Sequence, residues 1–454
     1  MHVIVRYFLC NLFLLFVVFM SPESLLGETN SSLTISLLKY FQLNDINKKS
    51  LLNPNNDILV LRKSGSVFEF NANYLLNIGE AFKFTAKFVD EYSNVNSSGF
   101  LNERKSDWYF NNWYFNELFF SVAFSDRIFL DVGKEVLNFG CGFGWNPSNF
   151  LEKYGGYYRT GFAFDDPDNN PYGVSLAKLK YYGDKISASF VWLPRINIDK
   201  KSKAINDYFD YLSNPNNTNL CFLQNSIVIN GLNVTFLLGL EEKLYKRPEQ
   251  GFYQKFGLSG SKMVGNKFSL HAEVGLRNGS GKMCPVKKED IYELEEEESS
   301  EKYYSSSLIG ARYFLSNDFE LLLEYYFTGK GYGKKEAQII YQGLENSREF
   351  YREFAYFRLF PVAVNTYYEF ANFRRNYLLS SLLRNNINQV MDFRIYNHLC
   401  LDDGSGFVTC ELIYRPNDRL SFEMLLGFPW GKSNTEFGMF YNRYCGIFKV
   451  LLYL

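Results

Sequence analysis

Acid–base chemistry requires a titratable pair within hydrogen-bond reach, and one pair in this sequence has suitable spacing. His271 and Glu273 stand two residues apart in an alternating stretch, so both side chains project from one face of a strand. No serine nucleophile can be placed against them from the sequence, and a hydrogen-bonded pair on a polar strand face explains the same pattern. His398 has the same structural explanation. We therefore predict that the protein is not an enzyme.

The cysteines and the clustered aspartates lack the spacing of metal ligands. Six cysteines follow the first 27 residues, and no two of them have the Cys-x-x-Cys spacing of a structural zinc site. Asp165, Asp166 and Asp168 lie close together without the spacing and glycine of a calcium loop. Cys400 and Cys410 flank a short loop and are either disulfide-bonded or small apolar residues on strands. We expect no metal and no cofactor.

The stretch at 66–90 shows which kind of element positions the polar side chains. Its two arms alternate strictly between apolar and polar residues, and a short break with a glycine at 77–80 separates them. This pattern predicts an antiparallel hairpin with one apolar and one polar face. The apolar residues are Phe68, Phe70, Ala72, Tyr74, Phe82, Phe84, Ala86 and Phe88, and the polar residues are Glu69, Asn71, Asn73, Lys83, Thr85 and Lys87.

Composition favours a membrane barrel over a soluble sandwich. The chain has 454 residues, 34 Tyr, 45 Phe and a net charge of -1, yet its mean hydropathy is only -0.21. Barrel strands are half apolar and carry aromatic girdles at both membrane interfaces, which explains this combination. The near-zero net charge argues against a nucleic-acid partner.

The N-terminal residues have the pattern of a secretory signal. His2 and Arg6 precede an apolar run at 7–20, and a small polar segment follows. We predict a signal peptide at 1–27 and a mature barrel at 28–454; an uncleaved anchor helix is the alternative. Beyond residue 20 no run approaches the roughly 18 apolar residues of a membrane helix, so insertion would have to use strands.

Strand and turn lengths predict a single closed barrel without linkers or further domains. The predicted strands, in which apolar and polar residues alternate, are about ten residues long, as a tilted membrane strand requires. Very short turns and long polar loops follow one another along the chain. The acidic run at 293–298 is expected to lie in one of the long loops. We predict an all-β, transmembrane antiparallel barrel of about 16–18 strands, with 18 favoured, short periplasmic turns and long external loops. No helical period of useful length is found after the signal, and 351–399 is expected to hold roughly four extended segments.

Two blocks of the sequence resemble the porin-like outer-membrane barrels of Gram-negative bacteria. The block at 133–140 reads GKEVLNFG and precedes GFGWNPS at 142–148; a second block at 170–176 reads NPYGVSL. Phe139, Glu135 and the terminal Leu454 depart from the family pattern, which has Trp, Gln and Phe. The resemblance implies an outer-membrane location and passage of small solutes, or in some members binding of surface polysaccharide.

Two sets of residues are the candidates for a pore. The first lies on the polar strand faces and is predicted to line the pore: Lys83, Lys87, Lys267, His271, Glu273, Arg277, Glu320 and Glu324. The second lies in the glycine-rich segment, which either folds inward and narrows the pore or forms a turn at the rim: Gly140, Gly142, Gly144, Trp145, Asn146 and Pro147. The apolar partners of the first set on one strand are expected to face lipid: Phe268, Leu270, Ala272, Val274 and Leu276.

The predicted function is diffusion of small hydrophilic solutes through an outer-membrane channel. Both signs of charge occur on the polar faces, which predicts weak selectivity. The alternative is a surface barrel that binds polysaccharide or acts as an adhesin without transport. The expected partners are membrane lipid, small hydrophilic solutes and the outer-membrane assembly machinery, and the sequence leaves the oligomeric state open.

Overall fold

The computed structural model describes most of the chain after the N-terminal region. The described residues are 29–52, 55, 63–79, 81–93, 110–137, 139–149, 173–194, 219–242, 252–278, 283–288, 291–296, 302–315, 318–347, 373–440 and 442–454. The signal peptide predicted at 1–27 lies outside them, as does the stretch 351–372.

Twenty strands and one helix are found in the described residues. The strands are β1 Thr29–Ile46, β2 Ser64–Ile78, β3 Phe82–Ser93, β4 Phe110–Ser125, β5 Ile128–Glu135, β6 Val174–Tyr182, β7 Ile186–Leu193, β8 Leu220–Ile229, β9 Leu232–Glu242, β10 Phe252–Val264, β11 Phe268–Asn278, β12 Met283–Lys288, β13 Ile291–Glu296, β14 Tyr303–Phe314, β15 Phe319–Thr328, β16 Asn376–Ile387, β17 Met391–Cys400, β18 Ser405–Asn417, β19 Leu420–Trp430 and β20 Asn442–Tyr453. The helix, α1, is Lys334–Ser347.

Eighteen of these strands form one antiparallel sheet that closes on itself. Each strand pairs with its sequence neighbour, except that β11 pairs directly with β14 because β12 and β13 form a separate two-stranded sheet. The first and last strands close the barrel, with Ser36 of β1 opposite Tyr453 of β20. The predicted fold class and the favoured strand number are both confirmed.

The two ends of the barrel differ in loop length, as predicted. Strands β2 and β3, β6 and β7, β8 and β9, and β18 and β19 are joined by turns of two or three residues, whereas the opposite end carries the long connections. At one such turn Asn230 and Gly231 both have positive φ, 50° and 76°, which is the backbone of a tight hairpin turn. The same pattern explains the register, because each turn fixes the pairing of its two strands.

The side chains of the barrel strands alternate between the two faces of the wall. On β11, Leu270 and Val274 are 44% and 41% exposed on the outside, whereas His271 and Glu273 are 4% and 1% exposed on the inside. Exposed apolar residues recur on the outer face of nearly every strand, including Phe120 of β4. An apolar outer belt around a polar interior is the arrangement a barrel needs in lipid.

The long connections contain regular structure that the sequence patterns did not predict. Helix α1 lies in the long connection between β15 and β16, so the prediction that no helical period of useful length follows the signal was wrong. Strand β13 includes most of the acidic run that we expected in a loop. The stretch 351–399 was expected to hold four segments; its described part holds β16 and β17.

Cys400 and Cys410 are both free thiols. Cys400 is buried and pairs with Ser405, whereas Cys410 pairs with Ile395 on the opposite face of the wall. Of the two alternatives, a disulfide or two small apolar residues on strands, the structure therefore agrees with the second. No described helix is long and apolar enough to cross a membrane.

Candidate functional site

The glycine-rich segment at 139–149 lies inside the barrel. It leaves the end of β5 and packs against the inner faces of β10, β11, β14, β15 and β16, as the contacts below show. Gly144, Trp145, Asn146, Pro147 and Ser148 are buried. Of the two positions considered from the sequence, inside the lumen or at the rim, the segment occupies the first.

Two buried carboxylates of the wall hold this segment through its backbone. Glu273 on β11 accepts hydrogen bonds from the Ser148 amide at 2.5 Å, the Ser148 hydroxyl at 2.6 Å and the Cys141 amide at 2.9 Å. Glu324 on β15 accepts the amides of Phe143 and Gly144, each at 2.7 Å. Amide donors that point at a carboxylate satisfy its charge in a buried site. The segment is therefore fixed at both of its ends.

Glycines on both sides of the contact make this close approach possible. A Cβ on Gly140, which has a φ of +93°, would lie 2.5 Å from Glu273 Oε1. On the wall, a Cβ on Gly275 would lie 1.9 Å from the carbonyl oxygen of Pro147. A side chain at either position would collide with backbone or with an anchoring carboxylate, so the fit depends on the missing Cβ.

Aromatic packing holds the middle of the segment. The Trp145 ring stacks on Tyr326 with centroids 4.9 Å apart and planes 9° apart, and it meets Tyr377 at 5.6 Å. The edge of His398 approaches Trp145 at 5.5 Å. The rings of Trp145, Tyr326 and Tyr377 belong to an apolar cluster that also includes Leu38, Phe407 and Phe437, and the cluster fills part of the interior. The open cross-section of the interior is therefore smaller than it would be in an empty barrel of 18 strands.

His271 takes part in the same anchoring system. Its Nε2 lies 2.7 Å from Glu324 Oε1, the oxygen that also accepts the Phe143 amide. Its other neighbours include the edge of the Phe143 ring, with centroids 5.6 Å apart. The two residues of the predicted pair thus contact the segment differently: Glu273 binds it directly, and His271 orients Glu324. The described residues include no group of three or more His, Cys, Asp and Glu side chains able to hold a metal ion.

An open cavity of about 350 Å³ lies on the other side of the interior. Strands β1 to β4 and β18 to β20 form its wall, and five charged side chains line it together with asparagines and serines. The charged residues are Glu69, Lys87, Arg415, Glu423 and Lys449. The cavity and the inward segment therefore occupy different walls of the same barrel.

Most interior charges that the structure describes stand in pairs of opposite sign. Around the cavity, Lys449 Nζ lies 2.9 Å from Glu423 Oε1, Arg415 Nη1 lies 2.6 Å from Asp392 Oδ2, and Lys87 pairs with Glu117. Equivalent pairs occur on the remaining wall: Lys178 and Lys180 with Asp131, Lys255 with Glu241, Arg312 with Glu320, and Arg394 with Glu411. Paired charges cancel at a distance, so the field along the interior is small.

The remaining predicted pore residues lie at different places on the wall. Lys83 is exposed on β3 near the short turn, on the same face as Lys87. Lys267 is in the turn between β10 and β11 and not on a strand. Arg277 is half-buried and pairs with Lys255 in the ladder, and Glu320 is buried beside Arg312. Only Lys87 of the eight predicted pore-lining residues borders the open cavity.

Four residues that line the cavity or contact the inward segment were not among the candidates predicted from the sequence. Arg415 and Lys449 follow the inward alternation of β18 and β20, which was the available signal. The stacking of Tyr326 and Tyr377 on Trp145 joins residues far apart in the chain, and no local pattern indicates it.

A folded cap covers part of the end that carries the long connections. Helix α1 packs Ala337, Ile340 and Leu344 against Tyr292 of β13 and against residues of the β1–β2 and β19–β20 connections, and all of these side chains are buried. The Tyr341 hydroxyl of α1 donates a hydrogen bond of 3.4 Å to Asp403 Oδ2. Burial, and next the nearby carboxylate of Asp403, raise the pKa of Tyr341, so the phenol stays protonated.

Comparison with known proteins identifies the fold. No protein-family model matches this sequence, and no curated protein matches it. The structure is similar to Pseudomonas aeruginosa OccK5 (OpdH), with a TM-score of 0.52 and 10% identity over 94% of this chain and 98% of that chain. It also aligns with P. aeruginosa OccK11 (OpdR) at a TM-score of 0.48 and 10% identity, over 93% of this chain and 96% of that chain. A mutant of Rh. blastica porin aligns at 0.42 and 10% identity, over 94% and 100%. The chain thus has the fold of an outer-membrane-type β-barrel, shared with OccK5.

Proposed function

We propose that this protein is a porin-like channel of the outer membrane that passes small hydrophilic solutes by diffusion. The observation that carries the proposal is the polar cavity that remains inside a closed barrel with an apolar outer belt. Such a barrel separates lipid from a wet interior, and a wet interior is a route for solutes. The outer-membrane-type barrel fold shared with OccK5 is consistent with the same proposal.

The proposal includes a location and partners. We infer that the barrel lies in the outer membrane of a Gram-negative-type bacterium, with lipid around the belt and the assembly machinery as the route of insertion. The inward segment acts as the constriction of the channel, because it is held inside the lumen by Glu273 and Glu324. We assign no catalytic role to the interior, since these two carboxylates and His271 bind the protein's own backbone and side chains.

Conductance measurements test the proposal directly. The protein, purified in detergent and inserted into planar lipid bilayers, should give stepwise single-channel currents. Deleting 142–148 should raise the single-channel conductance, because it removes the segment that occupies the lumen. Heat-dependent gel mobility checks that the shortened barrel is folded. Absence of any current from the full-length folded protein would reject the channel.

One observation favours the alternative of a surface-binding barrel. Helix α1 and the β12–β13 hairpin form a folded cap with its own apolar cluster, which includes Tyr292 and Leu344. A rigid cap could present a binding surface outside the cell. Whole cells should then bind polysaccharide in proportion to the amount of this protein that they express. Replacing helix α1 and the β12–β13 hairpin by a short linker should abolish this binding without any effect on bilayer currents.

A further inference from the structure

We propose that the folded cap regulates the constriction of the channel, and that Tyr377 transmits the position of the cap to the inward segment. The connecting element is the strap, residues 435–440 in the connection between β19 and β20. This regulation rests on the proposed channel function, because it concerns the constriction of that channel. When the cap is seated, the inward segment is held in the lumen; when the cap is displaced, the segment is released.

The strap contributes side chains to two apolar clusters. Met439 is fully buried in the cluster of the cap, together with Ile340 of α1. Phe437 and Phe440 are 1% and 3% exposed and belong instead to the interior cluster that contains Trp145. Because close-packed clusters tolerate little displacement of their members, a strap that moves with the cap also disturbs the packing around Trp145.

Hydrogen bonds tie the strap to the elements that form the cap. Asp403, in the turn between β17 and β18, accepts the Glu436 amide at 2.9 Å and the Tyr341 hydroxyl of α1 at 3.4 Å. The Ser50 hydroxyl in the β1–β2 connection donates to the Met439 carbonyl oxygen at 2.7 Å. The helix and the strap thus share Asp403 as an acceptor, and displacing the helix removes one of the contacts that fix this carboxylate.

Tyr377 on β16 contacts the strap and the inward segment at once. Its hydroxyl donates to Glu436 Oε2 at 2.7 Å, and its ring meets the Trp145 ring with centroids 5.6 Å apart. Tyr377 and Glu436 are both fully buried, and the Tyr377 hydroxyl also accepts the Arg374 amide at 2.6 Å. A buried hydrogen bond is costly to leave unmade, so a displacement of Glu436 either draws the Tyr377 ring with it or breaks the bond.

The position of Trp145 in the inward segment lets such a displacement reach the anchors of the segment. Trp145 is one residue from Gly144 and three residues from Ser148. Both of these neighbours donate their amides to the anchoring carboxylates, Gly144 to Glu324 and Ser148 to Glu273. A shift of the Trp145 ring therefore strains these hydrogen bonds, and the amides of the segment open to water more often.

Hydrogen exchange of the full-length protein in detergent, followed by peptide mass spectrometry, tests this regulation. The reporter is a peptide that covers 139–149, because four of its amides are held by the two anchoring carboxylates. Ile340→Asp and Leu344→Asp each place a charge in the apolar cluster of the cap. Each should raise the exchange rate of the reporter about threefold to tenfold, the effect of weakening one hydrogen bond. Gln338→Asp, on the exposed face of α1, should leave the rate unchanged, and unaltered exchange of a β4 peptide checks that the barrel is folded.

Tyr377→Phe tests the path itself, since it keeps the ring and removes only the hydroxyl. It should raise the exchange of 139–149 on its own, and adding Ile340→Asp should raise it no further, because the connection to the strap is already broken. The matched control is Tyr325→Phe, which removes an exposed hydroxyl that bonds Asn376 Oδ1. In that background Ile340→Asp should keep its full effect.

Two results would overturn this regulation. One is unchanged exchange of 139–149 in both cap variants while α1 itself exchanges faster. The other is a pair of effects that multiply when Tyr377→Phe and Ile340→Asp are combined, because the two changes would then act independently. Neither result bears on the channel, since exchange is measured without current. A protein whose inward segment responds to the cap but that carries no current in bilayers would reject the channel and keep the link between cap and segment.

Discussion

Glu273 and Glu324 show how an acidic residue inside a barrel can be structural. Each is almost fully buried, and together they accept four backbone amides and one hydroxyl from the inward segment. A polar strand face and a nearby His271 were visible in the sequence, and both suggested a water-filled pore or proton transfer. Their partners were not visible, because the amides come from residues more than 120 positions away.

Removing one of these carboxylates should loosen the inward segment. Glu273→Ala leaves the amides of Cys141 and Ser148 without their acceptor, at a cost of about 1–3 kcal/mol for each buried donor. We expect a lower urea midpoint and a larger, noisier single-channel current. The matched control is Glu241→Ala, which removes a luminal carboxylate that pairs with Lys255. Equal currents from the two variants would mean that Glu273 does not hold the constriction.

Gly275 gives a second prediction at this scale. A Cβ at this position would lie 1.9 Å from the Pro147 carbonyl oxygen, so Gly275→Ala must displace the segment at a cost of about 1–3 kcal/mol. Gly260→Ala is the control, since its Cβ would meet nothing closer than 3.7 Å. We expect a changed single-channel conductance for the first variant only. The same change in both would point to the strand backbone and not to the segment.

At the scale of elements, the strands were predictable and the cap was not. Alternation and short turns are local signals, so the hairpins, the closing strand and the strand number followed from the sequence. Helix α1 carried a helical signal as well, because Ala337, Ile340, Tyr341 and Leu344 recur at spacings of three and four residues. The glycines and lysines at 329–335 come directly before these residues, and their loop-like composition obscured the helical spacing. The cluster that stabilises the helix comes from three other connections, which the helix sequence does not reveal.

The cap gives a prediction about loops that can be measured without disturbing the barrel. Ile340→Asp places a charge in the apolar cluster, whereas Gln338→Asp places the same charge on the exposed face of α1. We expect faster proteolysis of the long connections in the first variant only, together with a higher conductance. Unfolding of the barrel in urea should be the same for both, because the ladder contacts are untouched.

For the whole molecule, the inward segment and the open cavity lie against different strands of the barrel. The segment packs against β10, β11 and β14 to β16, and the cavity borders β1 to β4 and β18 to β20. The apolar cluster reaches both sets of strands, with Tyr326 on β15, Leu38 on β1 and Phe407 on β18.

A strand pattern predicts which side chains point inward but not which of them meet across the lumen. The assignment of Glu273, Glu320 and Glu324 as pore-lining residues remains a prediction. The observed partners of Glu273 and Glu324 favour a role in fixing the inward segment, and the pairing of Glu320 with Arg312 favours a role in the wall.

Selectivity is the property of the whole interior that follows from its paired charges. Because most of the described interior cations lie beside carboxylates, we expect a cation-to-anion permeability ratio close to one in a potassium chloride gradient. Glu423→Gln leaves Lys449 without its paired carboxylate and should shift the reversal potential toward anion preference. Glu241→Gln makes the same chemical change outside the cavity and should shift it less. A ratio above about ten in the unaltered protein would show that one sign of charge dominates the route, contrary to the pairing.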